Sequence, residues 1–170
     1  MSKIDNKSQI LNSEDVDRKL LRLSWEVYEN NTKEKEIFIV GIEKRGYIIA
    51  KEIAKYLSNI SDIQVNLNSL KINKDEPYHD EIKLDSFENK FTNKVVILVD
   101  DVLNSGKTLM YSSKFFLNTK LKKLSILVLI DRNHNLFPIK ADYVGLSLST
   151  TLQEYIDVNL IPNQKGVYLS

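Results

Sequence analysis

The residues best suited to chemistry are a carboxylate pair, Asp100 and Asp101, and a polar run just behind it, Asn104-Ser105-Gly106-Lys107-Thr108. The pair follows Val95 to Val99, an unbroken apolar run of the kind buried on both faces of a parallel sheet. From Thr108 onward Leu109, Met110, Phe116 and Leu117 recur at helical spacing. The expected order is strand, loop, helix, with the acids where the strand ends. A helix start presents unpaired N–H groups and a positive dipole end, which favour phosphate. Gly106 lets the backbone come close to a ligand, Ser105 and Thr108 add hydroxyl donors, and Lys107 adds a positive charge. Carboxylates repel phosphate, so the acids must serve another part of the ligand: sugar hydroxyls or the water shell of a magnesium ion.

Gly106-Lys107-Thr108 also matches the end of a nucleotide-binding P-loop, which needs a glycine five positions before its final Gly. Asp101 stands there, and its carboxylate would repel the β-phosphate. A lone Asp would be an ordinary helix cap. Two acids and the Ser-Gly-Lys-Thr loop make that the weaker reading.

A second strand is expected over Ile37 to Ile42, running into Gly41-Ile-Glu-Lys-Arg-Gly46 and a helix carrying Ile48, Ile49, Ile53, Ala54 and Leu57. Alone, this loop is a surface turn with solvated charges. Beside the first loop it is a second place for phosphate. Asn12 or Ser13 caps an earlier helix with Val16, Leu20, Leu23 and Val27 on one side, stopping near Asn30-Asn31. Trp25 and Tyr28 extend its apolar face or pack on a partner chain. Residues 1–11 are a short lead-in. Ile63 to Leu67 alternates as a half-exposed strand does, and the phase slips near Ser69, which predicts a bulge or bend. Residues 74–93 form a long polar loop, which in a compact domain is functional or mobile.

The stretch from Lys94 to Thr108 closely resembles the phosphoribosyl pyrophosphate (PRPP) signature of type I phosphoribosyltransferases. The resemblance implies that Asp100 and Asp101 bind the ribose hydroxyls and act in catalysis. It implies that Val102, Leu103, Asn104, Ser105, Gly106, Lys107 and Thr108 complete the PRPP site. Glu43, Lys44, Arg45 and Gly46 would then bind the pyrophosphate. A strand over Ser125 to Ile130 ends in Asp131-Arg132, and His134 and Leu136-Phe-Pro-Ile-Lys-Ala-Asp-Tyr-Val-Gly145 follow. This is similar to the pyrimidine-operon regulators that also act as uracil phosphoribosyltransferases, and it makes Asp131, Arg132 and His134 base-side candidates. As lone loop residues, His134 and His79 would be plain surface groups.

The implied fold is α/β: a mainly parallel, twisted sheet flanked by helices, with a mobile loop and a small hood, in one domain over residues 1–170. The implied partners are PRPP, with Mg2+ held mainly through it, and a nucleobase or nucleoside monophosphate; uracil comes first and a purine next. A homodimer or larger assembly is the family precedent. The alternative is a nucleotide-sensing regulatory protein with little catalysis. Those relatives carry Thr-Ser-Arg/Lys-Ser-Glu where this chain has Thr150-Thr-Leu152-Gln-Glu154, so Leu152 replaces a cation. That change argues against RNA binding, and the short loop over residues 74–93 argues against fast turnover.

Composition agrees with such an enzyme. The 170 residues are 42% hydrophobic and 28% charged, enough for a domain with a full core. A net charge of +1 gives no bulk attraction to nucleic acid. With no cysteine, thiol chemistry is excluded. Met1 to Gln9 lacks a signal-peptide core, and no apolar run approaches a membrane span, so a cytoplasmic protein without a membrane partner is expected.

Overall fold

The structure, a computed structural model, describes residues 7–85, 88–151 and 153–170. Leu152, on which the expectation about RNA rests, lies outside them. Its main sheet has six strands in the order β4-β3-β2-β5-β6-β7. These are β2 (Glu36–Ile42), β3 (Gln64–Lys71), β4 (Lys83–Leu84), β5 (Val95–Leu103), β6 (Lys123–Asp131) and β7 (Tyr143–Ser147). All neighbouring pairs are parallel except β3 with β4. A small antiparallel sheet, β1-β9-β8, is built from β1 (Ser8–Leu11), β8 (Ile156–Asn159) and β9 (Gly166–Leu169). Among the described residues no helix is long and apolar enough to cross a membrane.

The helices form where the periodicity places them. In α1 (Ser13–Glu29), Val16, Leu20, Leu23 and Val27 are all buried. Its start is a capping box: Asn12 Oδ1 accepts from the Asp15 N–H, and Asp15 Oδ2 accepts from the Asn12 N–H. In α2 (Arg45–Ile60), Ile49, Ala50, Ile53 and Leu57 face inward, while Ile48 is exposed. In α3 (Lys107–Leu117), Leu109 and Phe116 are buried, whereas Met110 and Leu117 face outward, so only half of the apolar face expected from sequence is core.

The central strands bury both faces. Ile37 and Ile39 of β2 and Val95, Ile97 and Val99 of β5 join the cluster under α1 and α2. Phe38, Val40, Ile42, Val96 and Leu98 join the cluster with Leu109 and Phe116 of α3. Continuous apolar runs are what such strands require.

Four expectations change. The lead-in to α1 contains a strand, because residues 8–11 find backbone partners on β9, far along the chain. β5 does not stop at the acids. It pairs with β6 through Asp100 opposite Val128 and on to Leu103 opposite Asp131. A ladder is made by backbone groups, and polar side chains do not end it when cations meet them. β3 has no bulge; it pairs with β2 in unbroken register from Gln64 to Leu70. The phase slip arises because Val65 and Leu67 pack on one cluster and Leu70 and Ile72 on the other. The long loop carries structure: β4 pairs with β3, and Phe91 is fully buried at 4.9 Å from Phe38 and 5.4 Å from Phe116, ring centre to ring centre.

Candidate functional site

Strand order sets the site. From β2 the chain crosses through α2 to β3 on one side, and from β5 through α3 to β6 on the other. The order therefore reverses between β2 and β5, and their carboxyl ends border the crevice where open α/β sheets bind ligands. Glu43 and Lys44 follow β2 and lead into Arg45 and Gly46 at the start of α2, and Asn104 to Gly106 follow β5. Both loops singled out from sequence thus meet at one place.

Asp100 and Asp101 lie in the last part of β5, 3% and 7% exposed. The inward–outward alternation changes phase across them: Val99 joins the first cluster, Val102 packs on that cluster too, and Leu103 joins the second. Two cations meet the pair. Lys74 Nζ stands 2.9 Å from Asp100 Oδ1 and 3.9 Å from Asp101 Oδ1. Arg45 Nη1 stands 3.5 Å from Asp101 Oδ2. Burial first, and the Asp101 carboxylate second, push the Asp100 carboxyl up to about 7, against the opposing pull of Lys74.

Gly46 sets how closely the first loop approaches these acids. A Cβ there would lie 2.6 Å from the Val99 carbonyl oxygen and 3.0 Å from Asp100 Cα. The second loop turns at Gly106, whose φ of 82° is a conformation that a side chain disfavours. α3 follows at once, and its first-turn N–H groups lack intrahelical partners. Residues 102–109 with Asp100 line a hollow of about 50 Å³ at this helix start. Thr108, Ser105 and Lys107 are half-buried around it, whereas the Leu103 side chain is fully buried and offers the site only backbone.

A larger cleft of about 420 Å³ lies beside the acids, lined by Glu43, Lys44 and Arg45, by Lys74, and by residues of β5 and the small sheet. Val102 and Asn104 are part of its wall. Tyr155 and Ile156 close it from the small sheet, which acts as a hood. Arg45 joins the two sides, with Nη2 donating to Asp157 Oδ1 at 3.0 Å.

The base-side candidates separate. Arg132 lines the cleft but is 6% exposed and bound within the chain: it donates to Asn104 Oδ1, Thr150 Oγ1 and the carbonyls of Thr151 and Glu154. It ties the loop after β5 to the segment entering the hood. The buried Asp131 accepts from the Asn133 N–H. His134 is half-buried and does not line the cleft, and neither does His79, which is exposed with its ring 4.9 Å from that of Tyr78.

Lys74, Tyr155 and Asp157 were not legible as site residues. Lys74 lies three residues beyond the carboxyl end of β3 at Lys71, a signal that has meaning only once β3 is known to lie beside β2. Nothing local marks Tyr155 or Asp157.

A family model described as "Phosphoribosyl transferase domain" matches residues 6–161. The bifunctional protein PyrR of Enterococcus faecalis is 35% identical over 164 residues, which cover 91% of this chain and 90% of that protein. A protein of the same name from Fusobacterium nucleatum is 35% identical over 162 residues, 91% of this chain and 92% of its own. Among solved structures, a hypoxanthine-guanine phosphoribosyltransferase from Bacillus anthracis has a TM-score of 0.75 at 21% identity, covering 96% of this chain and 98% of its own. The hypoxanthine phosphoribosyltransferase of Trypanosoma cruzi has a TM-score of 0.78 at 12% identity, with 95% of each chain covered. These last two likenesses concern the fold. With the family match spanning most of the chain and the relatives above 30% identity, the chain belongs to the phosphoribosyltransferase family, PRPP-dependent enzymes of the glycosyltransferase class.

Proposed function

We propose that the chain transfers ribose 5-phosphate from PRPP to a nucleobase, uracil before a purine, with pyrophosphate leaving. The observation that carries this reading is the meeting of both phosphate-compatible loops and the acid pair around one crevice at the switch point. Uracil is the base implied by the resemblance of the Asp131–Gly145 stretch to the pyrimidine-operon regulators.

The 5′-phosphate sits at the start of α3, on the backbone of residues 104–108 with the Ser105 and Thr108 hydroxyls. Asp100 and Asp101 hold the ribose hydroxyls. Lys44, Arg45 and the backbone of Glu43 to Gly46 bind the pyrophosphate. The bond from ribose C1 to the pyrophosphate oxygen breaks, and its electron pair leaves with the pyrophosphate. A base nitrogen forms the new bond to C1 and gives its proton to water or to the leaving group. Positive charge grows on the sugar in between, and the nearby carboxylates stabilise it. Tyr155, exposed at the cleft, offers a face for the base. Arg132 acts as a positioning residue, holding Asn104 against the hood segment.

Mg2+ would neutralise the leaving pyrophosphate. The donors present suit an ion bound mainly through PRPP oxygens and water: Asp100, Asp101 and Glu43 border the crevice, and no cluster of three or more His, Asp and Glu ligands gathers among the described residues.

The test is incubation with PRPP, Mg2+ and a panel of bases, reading pyrophosphate release. Release with uracil, lost in Asp101→Asn, is the expected result. PRPP binding without release for any base would replace the transferase reading with that of a nucleotide-sensing regulator.

A further inference from the structure

The ammonium of Lys74 covers both oxygens of the Asp100 carboxylate, at 2.9 and 3.3 Å, and stands 3.9 Å from Asp101. Arg45 meets Asp101 from the other side at 3.5 Å. Two carboxylates therefore face two cations supplied by the chain itself. The position of Lys74 is built. Asn73 Oδ1 accepts from the N–H groups of Asp75 and Glu76, and Asn73 Nδ2 donates to Asp80 Oδ2. Lys107 Nζ donates to the Asp75 carbonyl at 2.8 Å, fastening the same turn to the start of α3. The turn that carries Lys74 is thus held on both sides.

PRPP is a polyanion, and a buried carboxylate pair repels it at short range, where little water screens the charges. A divalent cation is one remedy, and an ammonium already seated on the pair is another. A hydrated Mg2+ would have to compete with that ammonium for the Asp100 oxygens.

We propose that Lys74 is a resident counter-cation of the acid pair, doing there what a metal ion would otherwise do, so that this chain binds PRPP with little dependence on Mg2+. The inference rests on the function proposed above. It concerns binding, and leaves the leaving-group role of Mg2+ in turnover as it stands.

Calorimetry of PRPP binding in EDTA and in excess Mg2+ tests it, with the parent, Lys74→Gln and Lys74→Arg, each checked for an unchanged melt. Removing Mg2+ should weaken the parent by no more than about threefold. Losing a charged hydrogen-bond partner should weaken Lys74→Gln by roughly tenfold or more in EDTA, and Mg2+ should restore most of it. Lys74→Arg should stay close to the parent in EDTA. An equal loss for Lys74→Gln in both media would overturn the proposal, because the lysine would then be a plain ligand contact. So would a parent that binds only in Mg2+. A parent that binds PRPP in neither medium would overturn the transferase reading itself, and this inference with it.

Discussion

Asp100 is buried beside a second carboxylate, and both features disfavour its charge. Burial, and then the Asp101 carboxylate, push its folded carboxyl up to about 7, against an ordinary value near 4 in the unfolded chain. Between these two pH values the folded protein keeps a proton that the unfolded chain has lost. Stability from this group is therefore fully present below about pH 4, and it is lost as pH rises to about 7. Asp100→Asn removes the penalty. We expect it to melt roughly 3–8 °C above the parent at pH 8, from a gain of roughly 1–3 kcal/mol, with the gap closing toward pH 4. Thermal melts across pH check this; a variant no more stable than the parent at pH 8 would refute it. The same substitution should weaken PRPP binding by roughly ten- to a hundredfold, through one lost hydrogen bond to a charged group. A gain in stability together with a loss of binding would mark Asp100 as a side chain kept for its ligand at a cost to the fold.

The spacing of α2 from β5 depends on Gly46. In Gly46→Ala the new Cβ would meet a carbonyl oxygen at 2.6 Å and a Cα at 3.0 Å, and backbone cannot swing aside. The start of α2 must back away from the acids, at roughly 1–3 kcal/mol of stability, as for other overpacked contacts. Denaturant unfolding measures the loss; an unchanged midpoint would show that the helix yields freely. The turn after β3 poses a separate question. A mobile loop over residues 74–93 is the expectation from sequence, whereas Asn73, Lys74 and Lys107 fasten its first residues near the acids. Asn73→Ala removes three of these bonds. It should speed tryptic cleavage between residues 74 and 83 by about fivefold or more, since local opening becomes cheaper. PRPP with uracil should slow that cleavage in the parent, as closure over a reaction centre requires. Equal rates with and without saturating ligands would mean that this segment is no lid.

Over the whole molecule, charge argues against tight RNA binding. The net charge is +1, and the densest basic cluster is largely engaged within the chain. Lys122 Nζ is 2.6 Å from Glu34 Oε1, and Lys123 Nζ donates to Asn31 Oδ1 at 2.9 Å. We expect RNA affinity of about 10⁻⁴–10⁻⁶ M near physiological salt, indifferent to sequence. Filter binding of a structured leader RNA against a scrambled one, with and without UMP, decides it; tight, nucleotide-dependent discrimination would restore the regulator reading. The sequence by itself determined the parts: the buried strands, the capped helix with Val16, Leu20, Leu23 and Val27 inward, the acid pair, and the two loops. These follow from local sterics and from the period of apolar residues, which need no partner to be read. Only the tertiary structure decided that β2 and β5 are neighbours, that β1 and β4 are strands, that Lys74 and Arg45 converge on the acids, and that Arg45 also reaches Asp157. Ladder bonds and charge compensation are made between residues far apart along the chain, and no local pattern encodes that Lys74 will arrive at Asp100.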